Sequence, residues 1–176
     1  TSEQMASELV NEGADLVLGP LFGDNVTAAR PILAETGTPI LSFSNDSLVA
    51  GQGVWLASIA PEQETAEIIR YAALRGYQQF AFFGPQSELG MKIERAMQYQ
   101  VALNGGTMVA TGFYPADTIN PDSEAKYFAG AVANAAMSGI KTAVLVPERG
   151  NRLRRIAPLL AYHGIDTRRV KMLGNG

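Results

Sequence analysis

Short apolar runs that stop at glycine or proline alternate along this chain with longer stretches whose apolar positions recur every three to four residues. The first pattern marks buried strands and the second amphipathic helices. Residues 2–11 form the first helical stretch, with Met5, Leu9 and Val10 near one face and Gly13 placed as a helix stop. Residues 15–18 are too short for a buried helix and end at Gly19-Pro20, so they predict a strand. A second helix is expected to about Thr36, capped by Asp24 or Asn25 and stopped by Gly37; Pro31 should kink it or mark a later start. Strands follow at 39–43 and 54–59.

Beyond Pro61 the rhythm restarts. Helices are expected at 62–75, with Ile68, Ile69 and Ala72 spaced for burial, at 87–103, at 123–137 capped by Ser123, and at 151–163. Strands are expected at 79–83, ending at Gly84-Pro85, then at 107–114, 142–146 and 170–173. Alternating strands and helices define an α/β protein with parallel sheets flanked by helices. Seven strands allow one doubly wound sheet or two lobes. The break at Ile59-Ala-Pro-Glu62 favours two, 1–61 and 62–176. A three-stranded first lobe would leave apolar edges exposed. The first lobe is therefore expected to be incomplete, lacking at least a strand and a helix, and the chain to be a fragment whose end at Gly176 is arbitrary.

Composition narrows the chemistry. The 176 residues are 47% hydrophobic and 18% charged, ordinary for a globular protein. A net charge of −3 argues against a nucleic-acid partner, which needs a concentrated basic face. No cysteine is present, which removes disulfides, thiolate metal sites and cysteine catalysis. One histidine, His163, cannot build a multi-histidine metal site, and it lies where a helix dipole accounts for it. No apolar run reaches the roughly 20 residues that span a bilayer. The glycines of Gly84 to Lys92 miss the phosphate-loop spacing, and Gly51-Gln-Gly53 precedes a strand instead of following one. Neither catalysis, a metal nor a cofactor is expected.

The polar residues that remain sit after strand ends, where ligands bind in open α/β sheets. Ser42, Ser44, Asn45, Asp46 and Ser47 read equally as backbone caps or as ligand contacts. Asp24 reads first as a cap, as do Gln86, Ser87 and Glu88. Tyr114 and Glu148 lie at further strand ends with the same two readings. Arg149, Arg152, Arg154 and Arg155 form a basic cluster, either a solvated helix face or a contact for a protein or anionic polymer.

Several motifs carry a resemblance. Gly13-Ala-Asp-Leu-Val-Leu-Gly-Pro-Leu21, Val26-Thr-Ala-Ala29 and Thr38-Pro-Ile-Leu-Ser-Phe-Ser44 resemble the first lobe of type I periplasmic binding proteins, the Leu/Ile/Val-binding family. Ser44-Asn-Asp-Ser-Leu-Val-Ala-Gly51, Pro61-Glu-Gln63, Arg152-Leu-Arg-Arg-Ile-Ala-Pro-Leu-Leu160 and Leu173-Gly-Asn-Gly176 resemble most the branch of bacterial penicillin-binding-protein activators related to LpoA. The resemblance implies two α/β lobes holding a ligand between them, without chemistry. It places ligand contacts on Phe22, Gly23 and Asp24, on Ser44, Asn45 and Asp46, and on Ser87 and Leu89. Phe22-Gly23-Asp24 stands where amino-acid receptors carry serines, and Leu89 where they carry an aromatic residue.

Two functions follow from the resemblance. One is a solute receptor that holds a small polar ligand, such as an amino acid, and presents it to a membrane transporter. The alternative is an envelope regulator of peptidoglycan synthesis acting by contact with a penicillin-binding protein. Both imply a periplasmic location, with a lipid anchor in the full-length protein as one arrangement.

Overall fold

The computed structural model describes residues 1–174; Asn175 and Gly176, the end of the last motif above, lie outside the described residues. The chain divides into two compact units, Thr1–Ala60 and a second beginning at Pro61.

The first unit is a three-stranded parallel sheet with helices α1 (Ser2–Asn11) and α2 (Gly23–Thr36). Its strands β1 (Val17–Leu18), β2 (Ile40–Ser42) and β3 (Val54–Leu56) lie in that order. Register places Val17, Ile40 and Val54 in one row and Leu18, Leu41 and Trp55 in the next. The first row packs in a core with Ala6, Val26, Ala29 and Leu33 of the helices. The second faces away, leaving Leu18 and Trp55 exposed. Successive strand residues point to opposite faces, so one apolar row is buried and the other is not.

Several expectations are corrected here. Ala6, not Met5, is the buried residue of α1, because that side of the helix packs on the sheet and α2; Met5 is exposed. Helix α2 begins two residues earlier than a cap at Asp24 would place it and three earlier than a cap at Asn25. Phe22 is its N-cap, in extended conformation and with no side-chain cap bond, and Asp24 sits in the first turn. Pro31 marks no later start, since the helix runs through it to Gly37, whose φ of 73° closes the end. The strands expected at 15–18 and 54–59 are shorter, because only Val17–Leu18 and Val54–Leu56 find a partner strand.

The second unit is a four-stranded parallel sheet in the order β5-β4-β6-β7, with β4 (Gln79–Gln86), β5 (Thr107–Pro115), β6 (Thr142–Leu145) and β7 (Val170–Leu173). Helices α3 (Pro61–Leu74) and α4 (Glu88–Leu103) cover one face; α5 (Asp122–Ala136) and α6 (Gly150–Tyr162) cover the other. Both faces of β4 are therefore buried, and its sequence is a continuous apolar run. Phe80 and Phe82 pack among Ile69, Ile93 and Met97, while Ala81 and Phe83 pack among Phe128, Val132, Ile156 and Leu160.

Gly84-Pro85 does not end β4, which continues to Gln86 paired with β5 alone. Pro85 lacks an N–H, yet the β6 side is already unpaired beyond Phe82, so no ladder bond is lost there. Pro121, not Ser123, is the N-cap of α5; the Ser123 hydroxyl donates to Glu124 instead.

Candidate functional site

Parallel strands deliver their carboxyl ends to one edge of each sheet, and the candidate residues gather there. In the first unit the chain leaves β1 through Gly19 and a cis Gly19–Pro20 peptide. The Pro20 carbonyl then accepts bonds from the Phe43 N–H at 3.1 Å and from the Ser42 hydroxyl at 2.8 Å. These bonds fix the turn after β1 against the end of β2.

From there the polar run binds itself. Ser42 Oγ accepts the Ser44 N–H at 3.0 Å, Ser44 Oγ accepts the Asp46 N–H at 3.1 Å, and Asp46 Oδ1 accepts the Leu48 N–H at 3.0 Å. The Ser58 hydroxyl donates to the Ser44 carbonyl. Ser42 and Ser44 are buried, whereas Asn45 is exposed. Each side chain serves a backbone group two residues on, the habit of Ser and Asp in turns. The other oxygen of Asp46 lies against Gly23, the first residue of α2, where an added Cβ would stand 3.0 Å from it. Glycine there admits a carboxylate to the positive end of a helix. Phe22 and Asp24 are exposed beside it. The edge thus carries two acids, Asp24 and Asp46, and no lysine or arginine among residues 20–29 or 42–50.

In the second unit Ser87 caps α4, its Oγ accepting the Gly90 N–H at 3.0 Å. Leu89 is half exposed. Tyr114 at the end of β5 donates its hydroxyl to Glu148 Oε1 at 2.6 Å, and Arg152 Nε reaches the same oxygen at 3.2 Å. Arg152 also donates to the Ala116 carbonyl at 2.8 Å, and Arg149 pairs with Glu64 at 3.1 Å. Burial pushes the Tyr114 phenol far above its ordinary value, reinforced by its bond to Glu148 and by that residue's charge. Lys92 pairs with Glu62 at 2.9 Å; burial is the largest single influence on the Glu62 carboxyl and raises it, but the bond to Lys92, the carboxyl's bond to its own backbone N–H and the Lys92 charge together outweigh it, and the net shift is downward.

The structure thus brings together Gly23 with Asp46, and Tyr114 with Glu148 and Arg152. The roles of Ser58 and Arg152 were not visible in sequence reasoning. Glu148 precedes α6, whose N-cap is the extended Arg149, so no helix periodicity relates it to Arg152 and only the fold brings the two together. His163 caps the end of α6 and meets Asp122 at 2.8 Å. Among the described residues no group of three or more His, Cys, Asp and Glu could hold a metal ion, and no helix is long and apolar enough to cross a membrane.

The phenol of Tyr114 has a testable consequence. The folded state keeps its proton at pH values where the unfolded tyrosine, near its ordinary 10.0, has lost it. Unfolding then releases a proton, so stability present below pH 10 declines above it, by up to about 1.4 kcal/mol per pH unit. Urea melts from pH 8 to 11 should show that decline in the wild type and a shallower one in Tyr114→Phe. The variant should also lose about 1.5–3 kcal/mol at neutral pH through the missing bond to Glu148. Parallel pH profiles would show that Tyr114 is not the group responsible.

Known proteins share this architecture. A branched-chain amino acid ABC transporter protein from Rhodopseudomonas palustris superimposes with a TM-score of 0.80 at 13% identity, over 98% of this chain and 46% of that one. A solute-binding protein from R. palustris in complex with 4-hydroxybenzoate superimposes with a TM-score of 0.63 at 20% identity, over 98% and 46%. The penicillin-binding protein activator LpoA of Vibrio vulnificus (strain YJ016) is 26% identical over 116 residues, 63% of this chain and 19% of that protein. The chain spans about half the length of those solved structures and about a fifth of that relative. Residues 1–175 match the periplasmic binding protein family, and the chain belongs to that family.

Proposed function

We propose that this chain is the binding part of a non-catalytic periplasmic receptor that holds a small polar ligand at the carboxyl edges of its sheets. The observation that carries the reading is the strand-end edge of the first unit, where Gly23 admits Asp46 to the start of α2 beside the exposed Phe22, Asp24 and Asn45. Two acids and no nearby base suit a ligand that offers an ammonium or neutral hydroxyl groups there. In this reading Phe22, Asp24, Asn45 and Asp46 of the first unit touch the ligand, and Leu89 is the contact candidate at the strand-end edge of the second. Ser44 and Ser87, whose hydroxyls already serve backbone N–H groups, hold those loops in place. Its partner is a membrane transporter, as the solute-binding proteins with this fold suggest by analogy.

A second reading has its own support. The similarity to LpoA, together with the exposed apolar side chains Phe22, Phe43 and Leu89, favours an envelope regulator that contacts a penicillin-binding protein and needs no solute. Isothermal titration of the intact protein, unfolded and refolded to strip bound solute, separates the two. Binding of leucine, isoleucine, valine, another amino acid or 4-hydroxybenzoate tighter than about 10 μM, worth roughly 7 kcal/mol, supports the receptor. That binding should weaken in Asp46→Asn. Silence with all of them from refolded protein removes the amino-acid and benzoate receptor, and capture of a purified penicillin-binding protein then becomes the expected result.

A further inference from the structure

We infer that the amino edge of the first unit, opposite the strand ends discussed above, carries a binding site for a singly charged carboxylate, built on Arg30. A cavity of about 390 Å³ opens there, bounded by the end of α2 at Gly37, by Thr38 and Ile40 leading into β2, and by Gln52 and Gly53 leading into β3. Arg30 reaches into it from the middle of α2. Its guanidinium lies over Gly51, where an added Cβ would come within 3.1 Å of Nη2, so a glycine is what lets the group lie flat on the turn.

Arg30 is half-buried, and among the described residues no carboxylate or carbonyl engages it. No acidic side chain lines the cavity. Arginines this enclosed normally meet a carboxylate, because the planar fork loses water that only paired acceptors replace. Here the cavity itself is the space in which that acceptor fits. The exposed Gln52 amide supplies a further donor, whereas the Thr38 hydroxyl is spent on Thr36 and the Ala14 carbonyl. The single charge of Arg30 matches a monoanion; the carbonyl end of α2 opposes any anion, and a phosphate dianion, with twice the charge and no second cation, more than a carboxylate.

The test uses the intact protein and the arginine reagent phenylglyoxal, with modification of Arg30 followed by peptide mass spectrometry. Acetate, inorganic phosphate and chloride are compared at equal ionic strength. Acetate at about four times its dissociation constant should slow modification of Arg30 about fivefold, as occupancy requires. The exposed Arg154 should react at an unchanged rate. Gly51→Ala, which makes Nη2 give by a few tenths of an ångström, should weaken the protection while leaving the urea midpoint nearly unchanged. Protection by acetate no greater than by chloride would overturn the site, as would protection undiminished in Gly51→Ala. Stronger protection by phosphate would overturn the carboxylate assignment.

Discussion

Replacing Gly90 with alanine should destabilise the second unit by about 3–5 kcal/mol, at the top of the range for single substitutions. Gly90 is the third residue of α4, and a Cβ built there would stand 2.0 Å from the carbonyl oxygen of Pro85 and 3.1 Å from its carbonyl carbon. Both obstacles are backbone, so no rotamer change relieves them. The helix would have to lift from the end of β4, breaking the Ser87 cap that Gly90 itself completes. Chemical denaturation of the Gly90→Ala variant checks this directly: a loss under about 1 kcal/mol would mean that α4 and β4 do not meet this closely.

Phe83→Ala should cost a similar amount, about 3–5 kcal/mol, by a different route. Phe83 is fully buried in the central strand β4, with its ring centroid 4.9 Å from that of Phe128 and 5.0 Å from that of Tyr114. Gly112 on the neighbouring strand leaves room for it; a Cβ there would come within 2.9 Å of both Phe83 and Phe128. The packing is thus closed around the ring on all sides, and deletion leaves a cavity that rigid strands cannot collapse. Phe83→Leu, which keeps much of the volume, should cost distinctly less in the same melts. Equal losses for the two variants would point to the aromatic contacts with Phe128 and Tyr114 instead of volume.

The two substitutions also bear on the candidate site. Phe83 supports Tyr114, whose hydroxyl meets Glu148, so a cavity beneath the ring should loosen the bond that gathers Glu148 and Arg152. Gly90 illustrates a different point. In the sequence, Gly84 to Lys92 has the look of a failed phosphate loop, and the structure shows what its glycine does instead: it lets a helix start directly on the end of a strand.

The order and type of the elements were legible in the sequence. Apolar runs closed by Gly19-Pro20 or Gly76, and helical spacing closed by Gly37, are local signals, and a backbone responds to them locally. The polar run Ser42 to Ser47 was legible for the same reason, since each of its bonds spans two residues. Tertiary structure decided what depends on residues far apart. Ala6 and not Met5 is buried because the sheet lies on that side of α1, and Pro85 stays in a strand because β6 has already left it. Gly23 meets Asp46 and Tyr114 meets Glu148 across intervals of 23 and 34 residues. Periodicity says which face of an element is apolar, but only the packed chain brings two such faces, and the polar groups at their ends, within bonding distance.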